Sequence, residues 1–152
     1  MAWLKKGDLA CDFTLPDQNG NVVTLSAQWQ KGPVVLYFYP RDETPGCIAQ
    51  ACTFRDSFEA YVEAGAQVIG VSRDTIAAHQ AFAAHYRLPF TLLADVDGVA
   101  HKAWGVEKWL GLLTDRVTFV IDRHGIVQHT FSSRLRMGAH IQESLNVVKT
   151  LA

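Results

Sequence analysis

The stretch PVVLYFYPRDETPGCIAQAC, residues 33–52, joins a continuous apolar run, a turn and two cysteines in direct succession. Its first part, residues 34–39, is rich in β-branched and aromatic residues, which is typical of a strand buried on both faces in a parallel sheet. Thr44 is a candidate helix N-cap, and Pro45 follows at the first helical position, where its missing N–H costs nothing. The stretch therefore predicts a strand, a short loop and a helix whose first turn contains Cys47.

Hydrophobic periodicity extends this pattern along the chain in both directions. The helix is predicted to run over residues 47–64, and a second buried strand over residues 67–72 completes a βαβ unit. The other predicted elements are a hairpin of residues 13–15 and 22–25, a helix over 74–88, a short strand or edge segment over 90–95, a second hairpin of 115–122 and 126–131, and a final helix over roughly 138–151. We therefore expect one three-layer α/β domain over residues 1–152.

The composition favours one soluble globular domain. The chain has 152 residues, of which 49% are hydrophobic and 19% charged, and this suffices for a single sizeable core. A net charge of -1 without a long basic or acidic run predicts no nucleic-acid partner and no binding to an anionic membrane. The longest apolar run, residues 34–39, is far shorter than the roughly 20 residues that span a bilayer.

The N-terminus and the cysteine count bear on the compartment. No apolar block of the kind found in a signal peptide follows Lys5 and Lys6. Three cysteines are too few, and odd in number, for the disulfide framework of a secreted domain. We therefore expect a cytoplasmic protein, or one in an organelle stroma if a transit peptide has been removed.

Cys47 and Cys52 are predicted to lie on the same helix. In its first turn, free backbone N–H groups and the positive end of the helix dipole favour an anion, so Cys47 is a candidate thiolate. In an ideal helix, this offset separates the two Cα atoms by about 8.5 Å, whereas a disulfide needs less than about 7 Å. A bond between the two cysteines would therefore require the first turn to unwind, which indicates a redox switch and not a structural crosslink.

The segment YPRDETPGCIAQACTFRD resembles the active-site segment of the peroxiredoxins, and most closely that of the peroxiredoxin Q subfamily, also called bacterioferritin comigratory protein. The family's Pro-x-x-x-Thr-x-x-Cys pattern is matched by Pro40, Thr44 and Cys47. Four further segments resemble family segments in the expected order: DFTLPDQNG, GVSRDT, LPFTLLAD and RVTFVIDRHG. The resemblance covers most of the chain and implies a thioredoxin-like fold with a central mixed sheet and an N-terminal β-hairpin.

The resemblance also implies a reaction and its residues. Cys47 matches the peroxidatic cysteine, and its thiolate would attack hydrogen peroxide or an organic hydroperoxide and become a sulfenic acid. Cys52 matches the resolving cysteine of those members that carry both on one helix, and it would form a disulfide with Cys47. Thioredoxin or a glutaredoxin would then reduce that disulfide, without a cofactor or metal. We expect a monomer, because an intrahelical resolving cysteine needs no second subunit.

Thiolate formation alone does not explain fast peroxide reduction. For a thiol in general, lowering the pKa from about 8.5 to about 6 raises the thiolate fraction at pH 7 about 30-fold. The less basic thiolate is also less nucleophilic, and with a Brønsted slope of about 0.45 its intrinsic reactivity falls about 13-fold, so the net gain is only about twofold. The remaining acceleration must come from groups that orient the peroxide and stabilise the leaving oxygen. The Thr44 hydroxyl, the first-turn N–H groups and Arg116, which matches the family's active-site arginine, are the candidate donors. Pro40 would shield the thiolate from bulk water.

The chain departs from the family pattern at two positions. Members commonly carry Glu three residues after the peroxidatic cysteine, where this chain has Gln50, a neutral side chain that keeps the hydrogen bonds but not the charge. Many members have Pro before the DFTL segment, where this chain has Cys11. We interpret Cys11 as a small buried hydrophobic residue.

Several other interpretations stay open at the level of sequence. Cys47 and Cys52 could be buried structural thiols, or could bind zinc together with His79 and His85, although two histidines six apart on a helix face different directions. Without the family resemblance, Arg116 would be assigned to a solvated strand end. A thiol–disulfide oxidoreductase acting on proteins and a non-catalytic redox sensor are the alternative functions. Turnover with peroxide distinguishes both from a peroxidase.

The segment AWGVEKWLGLLTD, residues 103–115, is rich in large apolar side chains although it is predicted to be partly loop. The apolar residues are Trp104, Trp109, Leu110, Leu112 and Leu113. Core packing or a lid is the simplest interpretation. If exposed together, these side chains would form a substrate rim or a docking patch.

Overall fold

The computed structural model describes residues 3–108, 113–132 and 136–151. The strands within these ranges are β1 Thr14–Pro16, β2 Val22–Thr24, β3 Val34–Phe38, β4 Gln67–Ser72, β5 Thr91–Ala94, β6 Glu107–Lys108, β7 Leu113–Thr114, β8 Val117–Ile121 and β9 Val127–Ser132. The helices are α1 Leu25–Trp29, α2 Pro45–Asp56, α3 Phe58–Glu63, α4 Ile76–Tyr86, α5 Val99–Trp104 and α6 Met137–Thr150. Within the described ranges, none of these helices combines the length and apolarity needed to cross a bilayer.

The central sheet has five strands in the order β5-β4-β3-β8-β9. Strands β3, β4 and β5 are parallel, whereas β8 runs antiparallel to β3, and β9 antiparallel to β8. Strands β1 and β2 form the predicted N-terminal hairpin. These pairings confirm a mixed sheet with a separate hairpin.

Strand β3 lies at the centre of the sheet, and its side chains enter two cores. Val35 and Tyr37 pack on the face that carries α2, α4 and α6, together with Phe54 and Phe82. Leu36, Phe38 and Val34 pack on the opposite face, in the cluster that contains Leu25 and Trp104. Because both faces of β3 are covered, the strand reads as an unbroken apolar run in the sequence.

The structure corrects the predicted elements in three places. The helix predicted over 47–64 is divided at Ser57, whose φ of −100° and ψ of 4° leave the helical region. Residue Leu25, predicted as the end of a strand, begins the short helix α1. Helix α5 was not predicted; it lies between Gly98 and Gly105, whose φ angles of 73° and 74° end the helix on both sides. Elements this short carry too few residues to show a clear period.

Asp95 follows β5 and holds the first turn of α5 against the sheet. Its Oδ2 atom accepts hydrogen bonds from the backbone N–H of His101 at 2.8 Å and from Nδ1 of the His101 ring at 2.6 Å. Burial disfavours the ionised carboxyl, but the hydrogen bonds from His101 outweigh burial and lower the pKa of Asp95 below its ordinary value. The ionised form of Asp95 is therefore more favoured in the folded protein than in the unfolded chain.

This preference predicts a pH-dependent contribution to stability. Because the folded-state pKa is lowered, the contribution is present above about pH 4 and is lost as the pH falls through the folded-state pKa. Replacing Asp95 by Asn is expected to reduce the free energy of unfolding at pH 7 by about 1–3 kcal/mol. In this variant the free energy of unfolding is also expected to decrease less as the pH is lowered. Denaturant unfolding between pH 3 and pH 7 measures both effects, with Asp97→Asn, at an exposed neighbouring position, as the control. If the free energy of unfolding of Asp95→Asn fell with pH as steeply as that of the unmodified protein, the role assigned to Asp95 would be wrong.

Candidate active site

The loop of residues 39–44, called the active-site loop below, connects the carboxyl end of β3 to α2. Thr44 is the N-cap residue of α2, with an extended backbone (φ −96°, ψ 148°), and Pro45 follows at the first helical position, as predicted. The Thr44 hydroxyl does not cap the helix; it donates a 2.7 Å hydrogen bond to the carbonyl oxygen of Arg41. In this conformation the hydroxyl can therefore accept a hydrogen bond from a bound peroxide but cannot donate one to it. Pro40 lies on the surface of the loop.

Cys47 is the third residue of α2 and is only 1% exposed. The first intrahelical hydrogen bond runs from the N–H of Ile48 to the carbonyl of Thr44 at 2.8 Å. The N–H groups of Gly46 and Cys47 precede it, so they have no acceptor within the helix. These two donors and the positive end of the helix dipole lie where a thiolate, or an oxygen bound to it, would carry negative charge.

Arg116 reaches Cys47 from the neighbouring strand. It immediately precedes β8, and the antiparallel register pairs Val117 with Phe38, so Arg116 lies beside the carboxyl end of β3. Its Nη2 donates to Cys47 Sγ at 3.4 Å, and its Nη1 donates to Gln50 Oε1 at 2.7 Å. With 7% exposure, Arg116 is a buried cation, not a solvated strand end. A cationic donor at this distance interacts favourably with negative charge on the sulfur or on an oxygen bound to it.

Gln50 orients the guanidinium of Arg116. It is fully buried, and it lies three residues after Cys47, on the same face of α2. Because Gln50 is neutral, it accepts the hydrogen bond from Arg116 without neutralising its charge. The neutral residue that stands where family members commonly carry Glu therefore accepts a hydrogen bond from Arg116.

Removing the Gln50 side chain is expected to slow peroxide reduction. In Gln50→Ala, Arg116 Nη1 loses its acceptor and the guanidinium loses a constraint on its orientation, so we expect a decrease of about tenfold in the second-order rate constant with hydrogen peroxide, which corresponds to about 1.4 kcal/mol. Gln50→Glu keeps the acceptor and is the matched variant, expected to stay within about threefold of the unmodified protein. Stopped-flow fluorescence gives both constants. Equal rates for Gln50→Ala and the unmodified protein would show that Arg116 needs no such support.

Cys52 lies on the same helix as Cys47, and the helix is intact between them. Its side chain is half-buried, and all three cysteines, which lie within the described ranges, are free. Ideal helix geometry separates the Cα atoms of the two residues by about 8.5 Å. The two sulfurs cannot bond in this conformation.

Tyrosines of β3 and the loop lie beneath α2. Tyr37 stacks on Phe54 with ring centroids 4.6 Å apart and on Tyr39 at 5.3 Å. Burial, together with the negative charges of Cys47 and Asp42, raises the pKa of Tyr37 well above its ordinary value. Tyr37 is therefore a neutral phenol near the thiol. The sequence gives no signal for this neighbour, since it belongs to an apolar run.

The structure brings α4 to the active-site loop, which the sequence analysis did not predict. His79 is buried against Asp42, with Nδ1 and Oδ2 separated by 2.6 Å, and His85 lies on the surface against Glu43, at 3.1 Å. The two histidines face different directions, as predicted. Since His79 Nε2 also contacts a backbone carbonyl, at 2.8 Å, both of its ring nitrogens are engaged elsewhere than at Cys47.

Cys11 is half-buried and packs against the core cluster on the far face of the sheet. Its carbonyl oxygen accepts a 3.0 Å hydrogen bond from Nε1 of Trp104, which is fully buried. These contacts agree with the interpretation of Cys11 as a packing residue, and Trp104 is a core residue. Trp109, Leu110 and Leu112 lie outside the described residues, and no side-chain environment is assigned to Leu113.

Comparison with known sequences identifies relatives over nearly the whole chain. Residues 6–130 match the model of the AhpC/TSA family. Peroxiredoxin Q, chloroplastic, of Triticum aestivum is 50% identical over 149 residues, which cover 97% of this chain and 68% of that protein. Peroxiredoxin Q, chloroplastic, of Sedum lineare is 47% identical over 151 residues, which cover 99% of this chain and 81% of that protein. The location of these relatives agrees with the organelle-stroma alternative that the sequence predicts.

Solved structures agree with the family and confirm the thioredoxin-like fold. The crystal structure of peroxidoxin BcpB from Mycobacterium tuberculosis has a TM-score of 0.92 and 39% identity, covering 98% of this chain and 99% of that one. The bacterioferritin comigratory protein of Xanthomonas campestris, studied for its alkyl peroxide reduction activity, has a TM-score of 0.83 and 29% identity, covering 91% of this chain and 90% of that one. The chain therefore belongs to the AhpC/TSA family, in its peroxiredoxin Q group, and is a thiol-dependent peroxidase.

Proposed function

We propose that Cys47 is the peroxidatic cysteine and Cys52 the resolving cysteine of this peroxidase. The observation that carries the proposal is the 3.4 Å contact between Arg116 Nη2 and Cys47 Sγ at the N-terminus of a helix. A buried cation contacts this sulfur, and the N–H groups in the first turn of its helix have no acceptor within the helix. For Cys11, the contacts are those of a packing residue.

In the first step, the Cys47 thiolate attacks one oxygen of the peroxide. An S–O bond forms and the O–O bond breaks, and the leaving oxygen departs as hydroxide or alkoxide, which takes up a proton to become water or an alcohol. Arg116 and the N–H groups of Gly46 and Cys47 stabilise the growing negative charge. The Thr44 hydroxyl positions the peroxide by accepting a hydrogen bond from its O–H group, and Pro40 shields the thiolate from bulk water.

In the second step, the Cys52 thiol attacks the Cys47 sulfenic acid. An S–S bond forms, and the sulfenic hydroxyl leaves with a proton as water. Because the intact helix keeps the two residues apart, the first turn of α2 must unwind before this step. A dithiol partner, thioredoxin or a glutaredoxin, then reduces the disulfide and allows α2 to refold.

Organic hydroperoxides are proposed substrates beside hydrogen peroxide. The alkyl peroxide reduction described for the Xanthomonas campestris relative supports this extension. A monomer suffices for the cycle, because both reacting cysteines belong to one helix.

The proposal is tested by adding one equivalent of hydrogen peroxide to the fully reduced protein. We expect two thiols to disappear within milliseconds to seconds, peptide mass mapping to locate a Cys47–Cys52 link, and thioredoxin to reverse it over repeated cycles. A link that includes Cys11 would reassign the resolving role. Thiol loss no faster than that of free cysteine would reject the assignment of Cys47.

A further inference from the structure

The hydroxyl of Tyr37 lies beneath α2 without a hydrogen-bond partner among the residues that the structure describes. Tyr37 belongs to β3, is 1% exposed and packs in the same core cluster as Cys47. Burial, and after it the negative charge of Cys47, raises the pKa of Tyr37 well above its ordinary value, so the phenol keeps its proton. A buried donor and acceptor is therefore left unused beside the reactive cysteine.

The other two fully buried tyrosines of the chain are hydrogen-bonded. The hydroxyl of Tyr39 donates to Asp42 Oδ1 at 2.6 Å. The hydroxyl of Tyr61 lies 3.0 Å from the carbonyl oxygen of Ile141 and 2.7 Å from Ser144 Oγ. Buried hydroxyls normally find such partners. Tyr37 is thus the exception that requires an explanation.

Packing holds the Tyr37 ring in place, so the hydroxyl cannot move towards a partner. Phe54 of α2 stacks on the ring with centroids 4.6 Å apart. Gly70 of β4 is paired with Tyr37 in the sheet, and a Cβ atom added to Gly70 would lie only 2.8 Å from Cζ of the ring. The ring therefore lies directly against the backbone of the neighbouring strand. Its position is fixed by α2 and by the sheet together.

A buried hydroxyl without a partner destabilises the conformation that buries it. When the chain opens, water hydrates the hydroxyl, whereas the closed conformation removes that water without replacing its hydrogen bonds. Unsatisfied groups of this kind are a recognised reservoir of strain in native proteins. The strain in Tyr37 is relieved by any opening that admits water to the underside of α2.

Two donors of the arginine network near Cys47 are unsatisfied as well. Gln50 Nε2 and Arg116 Nε have no acceptor among the described residues. Arg116 contacts Cys47 and is held by Gln50, so replacing either residue would also alter peroxide attack. The Tyr37 hydroxyl makes no such contact. It can therefore be removed without changing the hydrogen bonds of the arginine.

We propose that Tyr37 is a positioning residue whose unpartnered hydroxyl favours opening of the first turn of α2 and thereby speeds formation of the Cys47–Cys52 disulfide. Because Cys47 packs in the same buried cluster as Tyr37, its departure from that cluster admits water to the hydroxyl. The closed conformation serves peroxide attack, and the open conformation serves the second step. The inference rests on the proposed roles of Cys47 and Cys52.

Tyr37→Phe tests this role because it removes the hydroxyl and keeps the stacked ring. We expect disulfide formation to slow about tenfold, which corresponds to an opening that costs about 1.4 kcal/mol more. Peroxide attack proceeds from the closed conformation and is expected to stay within about twofold. Stopped-flow fluorescence separates the two steps. Hydrogen exchange at the Ile48 N–H, which bonds to the Thr44 carbonyl in the first turn, should slow by the same factor.

The variant is also expected to be overoxidised more readily. A second peroxide can react with the Cys47 sulfenic acid: a second S–O bond forms, the O–O bond breaks and water leaves, so that a sulfinic acid results. This reaction competes with disulfide formation. A tenfold slower disulfide step should therefore raise the fraction of sulfinic acid formed per cycle about tenfold, as measured by mass spectrometry after repeated cycles.

The matched control is Tyr61→Phe, which removes a hydrogen-bonded hydroxyl from the same core cluster. Tyr61→Phe is expected to lower the midpoint of denaturant unfolding and to leave the ratio of the two rates unchanged. Tyr37→Phe is expected to raise the midpoint. A lower midpoint or loss of folding in Tyr37→Phe would show that its hydroxyl has a partner, such as a buried water, and would overturn the proposal.

Failure of the cysteine assignments is recognised separately from failure of this inference. Without a Cys47–Cys52 link after one equivalent of peroxide, the proposed function is wrong, whereas the unfolding midpoint and the exchange of the Ile48 N–H still report on Tyr37. A link that forms as fast in Tyr37→Phe as in the unmodified protein would overturn the role of Tyr37 alone. Equal slowing of peroxide attack and disulfide formation would also overturn it, because the hydroxyl would then support the whole site.

Discussion

Replacing Arg116 by Met is expected to lower the second-order rate constant for reduction of hydrogen peroxide by about 100-fold or more, in the range found when one donor to a developing oxyanion is removed. The guanidinium donates to Cys47 Sγ at 3.4 Å and is fixed by Gln50 at 2.7 Å. Met keeps the apolar stem and fills part of the volume, so the loss falls on charge and hydrogen bonds and not on packing. Cys47 itself is unchanged in this variant, and a count of reactive thiols before peroxide is added checks that it is not oxidised.

Two further arginine variants show whether the guanidinium itself is responsible. Arg116→Lys keeps the charge but lacks the fork that contacts both Cys47 and Gln50, so an intermediate decrease of about tenfold is expected. Arg123→Met changes an exposed arginine in the turn between β8 and β9 and is expected to leave the rate within about twofold. An unchanged rate in Arg116→Met would reject the role assigned to this residue.

The strand, loop and helix around Cys47 could be predicted from the sequence because the signals there are local. A buried apolar run, an N-cap residue and a proline at the first helical position each act over a few residues. The structure places Thr44 at the N-cap and Pro45 at the first helical position. The division of the long helix at Ser57 was missed, because the apolar stripe continues on both sides of the break.

Contacts across the sheet could not be predicted from the residues alone. Arg116 and Cys47 are 69 positions apart, and they meet because β8 runs antiparallel to β3. Composition and spacing favoured a solvated strand end for this arginine, and only the family resemblance indicated the active site. The contact between His79 Nδ1 and Asp42 Oδ2 spans 37 positions. The histidine pattern on α4 carried no sign of it.

Glu43 shows where the loop geometry departs from what its sequence suggests. Its φ angle of 60° lies in the left-handed region, which is uncommon for a residue other than glycine. Such a conformation persists when neighbouring contacts determine the path of the chain. Here Asp42 contacts His79 on one side, and Thr44, the N-cap residue of α2, follows on the other. The loop is therefore held by tertiary contacts and by the helix, and not by its own turn preferences.

Replacing Cys52 by Ser is expected to leave the first step unchanged and to stop the cycle after one turnover. The hydroxyl of Ser cannot form a disulfide with the Cys47 sulfenic acid, so the oxidised protein offers thioredoxin no intramolecular disulfide to reduce. We expect the rate constant for peroxide attack to stay within about threefold, because Cys52 is half-buried and away from the contact between Arg116 and Cys47. Steady-state consumption of peroxide with thioredoxin should fall by about 100-fold or more, since its cycle requires the exchange of a disulfide.

The matched control for the arrested cycle of Cys52→Ser is Cys11→Ser, which removes the one cysteine to which no step of the cycle is assigned. Cys11 packs against the far face of the sheet, so its replacement is expected to leave both the first step and the steady state intact. Product mapping after one equivalent of peroxide should find a persistent sulfenic acid in Cys52→Ser and a Cys47–Cys52 disulfide in Cys11→Ser. Sustained cycling of Cys52→Ser would show that another thiol resolves the sulfenic acid, and its loss in the variant that lacks both Cys11 and Cys52 would identify Cys11. Cycling that survives in this double variant would instead mean that the external dithiol reduces Cys47 directly, and α2 would then not need to unwind during turnover.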